Sequence, residues 1–505
     1  MSLDEKVAKL AAEYRSLGAK ILAEVVRIPA DHVKTDPSSG LSNHEGPRLE
    51  YLKKTIVEIG AVRRPEDVFF DDFGNLVWTL EDESDGIPRS EKRVIYLDGH
   101  SDTVRALRDQ WTQKIGGGID AYDGLVDPQK VDRAFLQREL GWLPPEDEWQ
   151  HLLFGRGSAD QLSGVVSQVV ASKILLELAA EGSLRGAIVR SYATASEEDN
   201  DGGGPMFVTR KLLPGAAPEL VPDVVILTEG TGDSKKGALG IYRGQRGRMQ
   251  IEVEVTGRSC HGSMPWEGLN PLEYAGAILT EAAQAYEARQ GFLDDPFLGH
   301  GTRTASWAEL QTPSDCAVPD RFTFRFDRRL TIGETPERAV ADVEALSAVK
   351  AARDAGLSVD IRVPTYDKPT WRGFTLNNPQ IYMGWVTPED HPAIQTAVKV
   401  YQQVIAPNVQ SSGPGGSIKK EARVDRWIFS TDGVGFPVKT SDESISVPEK
   451  KAWVVAGEYK HPAMFGLGPG IEQNTHKIGE CVDLRELVHA IAFLARFPSA
   501  YVAAT

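Results

Sequence analysis

The chain has 505 residues, 41% of them apolar and 25% charged, enough to bury a sizeable core, and its formal charge is −16. So acidic a chain repels phosphate backbones, and it has no lysine- or arginine-rich run, which excludes a basic nucleic-acid binder. Three cysteines (Cys260, Cys316, Cys481) are too few for a disulfide framework, the start Met1-Ser2-Leu3-Asp4-Glu5-Lys6 has no apolar signal core, and apolar runs such as Val224-Val225-Ile226-Leu227 are short. These features predict a cytoplasmic enzyme without membrane contact.

Val7, Leu10, Ala11, Tyr14, Leu17, Ile21 and Leu22 recur at helical spacing and predict one amphipathic helix over Glu5–Val26. Asn75–Leu80, Arg93–Leu97, Ala187–Ala193 and Val224–Thr228 are short, apolar on both faces and rich in β-branched residues. They read as strands of a mostly parallel sheet buried between helices. The helical period of Gln161–Ala180 lies between two of them, which gives an α/β unit with right-handed crossovers. From Met249 the pattern changes to alternation, with Met249, Ile251, Val253 and Val255 against Gln250, Glu252, Glu254 and Thr256, a strand with one wet face. A helix over about Asn270–Arg289, strands at Thr302–Gln311 and Arg321–Leu330, a helix over about Thr335–Ala355 and a strand at Leu357–Val363 complete a β-α-β-β-α-β order. That order is ferredoxin-like, and it interrupts the α/β pattern, which resumes with a helix at His391–Ile405 and a strand near Ala463–Leu467. The expected division is a discontinuous catalytic unit of residues 1–240 and 380–505, with an inserted α+β lid or dimerisation unit of 241–379. Pro407–Arg423 reads as a surface loop.

In open α/β sheets ligands bind beyond the carboxyl ends of the strands. His100 and Asp102 follow one such strand, Asp160 precedes a helix, Glu197 and Glu198 follow another strand, Glu229 ends a third, and His476 follows Ala463–Leu467 and its turn. Singly these residues have plain readings: a core histidine, a helix cap, a solvated turn. Together they are too many unpaired carboxylates at one rim to coexist without bound cations. Mixed imidazole and carboxylate donors suit Zn²⁺, with Mn²⁺ or Co²⁺ as alternatives.

The stretches Leu97-Asp98-Gly99-His100-Ser101-Asp102-Thr103-Val104, Gly155-Arg156-Gly157-Ser158-Ala159-Asp160, Ser196-Glu197-Glu198, Leu227-Thr228-Glu229 and the late His476 with Glu480 resemble the aminoacylase/carboxypeptidase G family of dinuclear-metal exopeptidases and deacylases. Ser259-Cys260-His261-Gly262-Ser263-Met264-Pro265, with Gly268-Leu269-Asn270, resembles that family's lid. The resemblance implies a phosphorylase/hydrolase-like catalytic domain with an inserted lid. It also implies two divalent metals: Asp160 bridging, His100 and Glu229 completing one site, Glu198 and His476 the other. Asp102 would fix the His100 tautomer, and Glu197 would be general base and then general acid toward a metal-bridging water. His261, from its own or a partner subunit, would steady the oxyanion.

Some features depart from the family pattern. The segment 105–153 is long and tryptophan-bearing, and reads equally as a reshaped pocket mouth or a surface elaboration. The insertion Lys439–Tyr459 has no counterpart. Thr475-His476-Lys477 lacks the Pro-Asn common there. Asp199 and Asp201 read as solvated turn residues. For the substrate, Arg329, Arg243 and Asn270 are candidates for a carboxylate, Arg328 is expected to lock lid strands, and Thr431 is a candidate pocket residue. The leading reading is a metal-dependent amidohydrolase of small N-acyl amino acids or dipeptide-like amides. Two readings compete with it: an aryl-amine aminohydrolase releasing ammonia from the same site, and an inactive relative serving as a binding or dimerisation module. No Gly-x-Ser-x-Gly turn and no Gly-Lys-Ser/Thr phosphate loop occurs, and the adjacent Cys260 and His261 point to opposite faces of an extended segment. Alternating polarity in the lid strands predicts a homodimer by edge pairing.

Overall fold

The computed structural model describes residues 1–30, 44–124, 128–144, 146–409 and 416–505. Two sheets organise it. The larger runs in the order Val68–Phe70, Leu76–Glu81, Ala187–Thr194, Arg93–His100, Val224–Leu227, Ala463–Gly466, Ile241–Gln245 and Trp385–Val386, with Val424–Trp427 paired beside Ile241–Gln245. Its centre is parallel, as expected, because helical crossovers join those strands. Around that parallel centre the outer pairings are antiparallel, apart from Val424–Trp427, which runs parallel to Ile241–Gln245, so the sheet is mixed. The physical reason is connection length. Leu76–Glu81 returns directly from Val68–Phe70, and Ile241–Gln245 follows Val224–Leu227 through a helix-free loop, so neither strand has the crossover that parallel pairing requires.

Both faces of this sheet are covered, which explains strands apolar on each side. On one face, Ser163–Glu177 is buried around nearly its whole circumference and packs against the C-terminal helix Leu484–Ala504. That terminal helix, which the sequence reading leaves unassigned, has the length and apolarity of a membrane span, yet Ile491, Phe493, Leu494 and Phe497 are buried in the main core. The expected helix Glu5–Val26 is two helices, Leu3–Glu13 and Arg15–Val26, which meet at Tyr14. The Tyr14 hydroxyl donates to the Glu177 carboxylate at 2.7 Å and pins the break to the core. On the other face, Tyr96, Tyr192, Trp385 and Trp427 form a second cluster, which Ile445 joins from the 439–459 insertion. The ends of that insertion pair as a small sheet, Val438–Lys439, Tyr459–His461 and Val454–Ala456.

The smaller sheet has the ferredoxin-like order Thr302–Gln311, Arg321–Leu330, Gly247–Thr256, Ser358–Arg362, all antiparallel, with Ile381–Tyr382 added beside Gly247–Thr256. Its strands begin at Gly247 and end at Tyr382, whereas Ile241–Gln245 belongs to the large sheet, so the lid sheet sits a few residues later than 241–379. The second lid helix is also two, Pro336–Glu344 and Ser347–Asp354. Leu346 is extended and turns its side chain into the lid core, while the Glu281 carboxylate accepts the Ser347 and Ala348 N–H groups at 3.0 and 2.7 Å and starts the new helix. Within Pro407–Arg423, residues 410–415 lie outside the described residues.

Candidate metal centre

The rim is built by four strands and three loops of the large sheet. Arg93–His100 extends three residues beyond its expected end, so that His100 is its last residue. The imidazole is buried. Its Nε2 lies 3.0 Å from Asp160 Oδ1 and 3.5 Å from Glu229 Oε2. On the other side of Asp160, Oδ2 lies 3.0 Å from His476 Nε2, which is itself 3.2 Å from Glu198 Oε2. His100, Asp160 and Glu229 form one group, and Asp160, Glu198 and His476 a second, with donor atoms in each within 4.8 Å of one another. The five expected ligands therefore converge, and Asp160 is shared.

Each is held by the backbone around it. Asp160 ends the loop from Gly155, and its N–H and that of Ala159 both donate to Glu480 Oε1 at 3.0 Å. Arg156 fixes the other Glu480 oxygen at 2.6 Å. Gly157 starts the final turn at φ 85°, and a Cβ there would meet the Thr103 side chain at 2.7 Å. Ser196 and His476 are non-glycine residues at φ 67° and 61°, a conformation that persists only where the surroundings impose it. The 105–153 segment supplies such surroundings for His476. Its Leu136 presses on Gly479 (φ 85°), where an added Cβ would fall 2.1 Å from it, and Lys477 donates to the Glu139 carbonyl at 2.6 Å. Ile478 and Cys481 pack into the segment's own core with Trp111 and Trp149. The segment is therefore a buttress for the loop that carries His476.

Asp102 lies where the motif puts it, against the His100 ring. The His100 Nδ1 pairs with the Asp102 carbonyl at 3.1 Å, with the carboxylate further off at 3.5 Å. The carboxylate also accepts the Glu197 and Glu198 N–H groups at 3.1 and 3.0 Å, because the Glu197–Asn200 turn directs its first amides at it. Glu198 also accepts the Val104 N–H at 3.0 Å. Glu197 is buried beside the cluster, 3.9 Å from the His100 ring.

The donor set fits divalent cations. Among the described residues the partners of these carboxylates are two imidazoles and no lysine or arginine. Without ions, burial and mutual repulsion hold the Glu197 carboxyl well above its ordinary range, and raise Glu198 and, to about 8, Glu229. Burial pulls His476 down, but Glu198 and Asp160 outweigh it and push the ring up to about 12. A cluster that must otherwise take up protons is one where two cations find charge, geometry and donors ready.

Gln161, next to Asp160, was not singled out in the sequence; its Nε2 donates to Glu229 Oε2 at 3.0 Å. Asp432, which accepts from Thr194 at 2.6 Å, and Asp98 are a buried acid pair beneath the rim. They share one strand-end environment, which sequence separation hides.

The remaining candidates lie elsewhere. His261 is exposed on the ribbon Cys260–His261, its ring bonded to Ser263 at 2.7 Å. Asn270 caps the helix Pro271–Glu287, and Thr431 is buried with its hydroxyl on Gln245 at 2.7 Å. Arg243 stacks 3.9 Å above Phe297, and Arg328 pairs with Glu334, just past its own strand, at 2.7 Å. Arg329 is engaged by Asp327 at 2.7 Å and Ser430 at 3.2 Å. Asp201 is not a solvated turn residue but is buried on Arg248 and Ser430, while the part-buried Asp199 faces Lys368 and Tyr366.

Residues 243–355 match the peptidase dimerisation domain of the M20 group. The inserted unit is thus similar to the dimerisation domain of M20 peptidases. The chain is 29% identical over 498 residues to the uncharacterized protein YgeY of Escherichia coli K12, covering 98% of this chain and 97% of that one. A probable succinyl-diaminopimelate desuccinylase of Staphylococcus aureus is 31% identical over 181 residues, 36% of this chain and 34% of the relative. In structure, an M20 family metallo-carboxypeptidase of Sulfolobus solfataricus superposes with a TM-score of 0.60 at 14% identity, over 96% of this chain and 99% of that one.

Proposed function

We propose that the protein hydrolyses the amide bond of a small N-acyl amino acid or dipeptide-like substrate at the rim centred on Asp160. The convergence of five metal-competent side chains with an extra buried carboxylate, Glu197, carries this reading. His100, Asp160 and Glu229 would hold one divalent ion, and Asp160, Glu198 and His476 the other, with zinc the metal best matched to the donors. Bound there, the ions supply Lewis acidity that polarises a carbonyl and acidifies water.

The chain's own residues do the rest. Asp102 holds the Glu197 and Glu198 amides, so that one carboxylate faces the cluster as ligand and the next stays free of it. Glu197, with its carboxyl raised by burial, takes the proton from the attacking water and returns it to the leaving amine nitrogen. An inactive binding relative would have no use for this residue. His261 is too exposed to act unless substrate or a second subunit covers it, which agrees with supply across a dimer. The lid's outer strand, Thr302–Gln311, leaves Trp307 and Leu310 exposed at 41% and 43%, an edge suited to a second copy of this chain. All three cysteines are free thiols, in keeping with a cytoplasmic setting.

The test is metal analysis of the purified chain coupled to amine release from N-acyl amino acids and dipeptides, with aryl amines as controls. The expected result is two ions per chain. Glu197→Gln should retain both and lose ~10²–10⁴-fold in turnover. Near-normal hydrolysis by the metal-loaded variant overturns the role of Glu197.

A further inference from the structure

The five residues from Glu197 to Asp201 form one short turn, and they are anchored by different parts of the chain. Glu197 and Glu198 are fixed on the rim side by Asp102. The last three are fixed from the opposite side. Asn200 exchanges amide hydrogen bonds of 3.0 Å with Asn378 and accepts from the Tyr382 hydroxyl at 2.7 Å, and Tyr382 lies on a strand of the lid sheet. Asp201 is part of a closed ring. Arg248 donates through Nη1 to Asp201 and through Nε to Asp327 at 3.1 Å. Arg329 donates through Nε to Asp327 at 2.7 Å and through Nη1 to Ser430 at 3.2 Å. Ser430 closes the ring by donating to the second Asp201 oxygen at 3.0 Å.

The register shows why the ring matters. Arg248 and Arg329 stand directly opposite each other on neighbouring lid strands, a like-charge pairing that weakens a sheet unless carboxylates intervene. Asp327 already accepts from both guanidiniums. Stability of the strand pair therefore needs nothing from Asp201, yet Asp201 is buried on the same arginine, three residues after Glu198. What Asp201 adds is a link from lid to turn. A planar guanidinium can bridge two acids at fixed angles, which a lysine cannot.

We propose that Arg248 is a positioning residue: through Asp201 it ties the Glu197–Asp201 turn to the base of the lid, so that the lid strand sets the placement of Glu198. The proposal rests on the reading of the rim as a metal centre. It further implies that the ion held by Glu198 and His476 is sensitive to the lid, while the ion held by His100 and Glu229 is not.

The experiment is a Zn²⁺ titration, by calorimetry, of the metal-stripped full chain and of Arg248→Gln, Asp201→Asn and their double variant, with Arg248→Lys as a milder change should the first fail to fold. One of the two zinc sites should weaken about tenfold or more in each single variant, the range typical of lost outer-shell support, and the other should stay as in the parent. The double variant should be no weaker than the weaker single, because both changes cut one link. Arg248→Lys should resemble Arg248→Gln. Titrations that superimpose on a parent binding two Zn²⁺, equal weakening of both sites, or an additive double variant each overturn the positioning role and leave the metal centre standing. A parent that takes up no Zn²⁺ overturns the metal centre itself.

Discussion

Two groups of acidic residues in this chain are built in opposite ways. On the open face of the lid sheet, Glu252 meets Arg325 at 2.7 Å and Arg362 at 2.6 Å, and Glu254 lies 3.6 Å from Arg362, so each acid is matched by an arginine on a neighbouring strand. At the rim of the large sheet, Asp160, Glu198 and Glu229 share two imidazoles and no arginine or lysine. The first group is complete as folded. The second is complete only when cations arrive from outside, and among the described residues it is there alone that metal-competent groups assemble. Buried acids lacking side-chain cations, not acids as such, mark the chemistry.

The sharpest way to break the contrast is to remove the shared acid. Asp160 lies 3.0 Å from both imidazoles, so Asp160→Asn should disturb both sites at once. Metal affinity should fall by more than ~100-fold, the upper range for losing an outer-shell partner. Amide hydrolysis should fall with it. Equilibrium dialysis that still finds two tightly held ions would show that the carboxylate does not bridge.

The two groups also differ in how far the sequence discloses them. The lid was legible because its chemistry is local: the alternation from Met249 to Thr256 fixes which side chains face water, and Thr302–Gln311 and Arg321–Leu330 have the bounds expected of them. Four of the five candidate residues were legible because they end or follow strands of the large sheet, where an α/β sheet presents its site. What escaped was support across long separations. Nothing near Asp201 announces Arg248, and nothing near Gly479 announces Leu136. The strand directions at the sheet's flanks escaped for a related reason: apolar runs reveal burial on both faces but not which way a strand runs. Asn270 caps a helix and Thr431 bonds Gln245, local uses of a polar side chain that a motif does not disclose.

A smaller effect tests the completed group. Glu252→Gln leaves Arg325 and Arg362 without their shared acid, but both arginines are part-exposed, at 30% and 43%. Solvent screens what is lost, so the cost should be about 1 kcal/mol or less per pair. Zinc content should be unchanged. Chemical denaturation of the parent and variant reads the difference, and a loss of bound metal would show that the lid charges are not independent of the rim.

The last test concerns an acid outside both groups. Glu486, in the first turn of the C-terminal helix, is buried and accepts the Gly470 N–H at 2.8 Å. Burial, aided by Asp483, pushes its carboxyl up to about 8, against an ordinary value of 4.5 in the unfolded chain. Between those values the folded chain holds a proton that the unfolded chain has released, so this group's contribution to stability declines as pH rises through that window. Glu486→Gln keeps an acceptor for Gly470 and does not titrate. With chelator present to remove metal linkage, the melting temperature of the variant minus that of the parent should therefore grow from about pH 5 to about pH 8. A difference that stays flat, or shrinks, means that Glu486 is ionised in the fold and that burial alone does not set its charge.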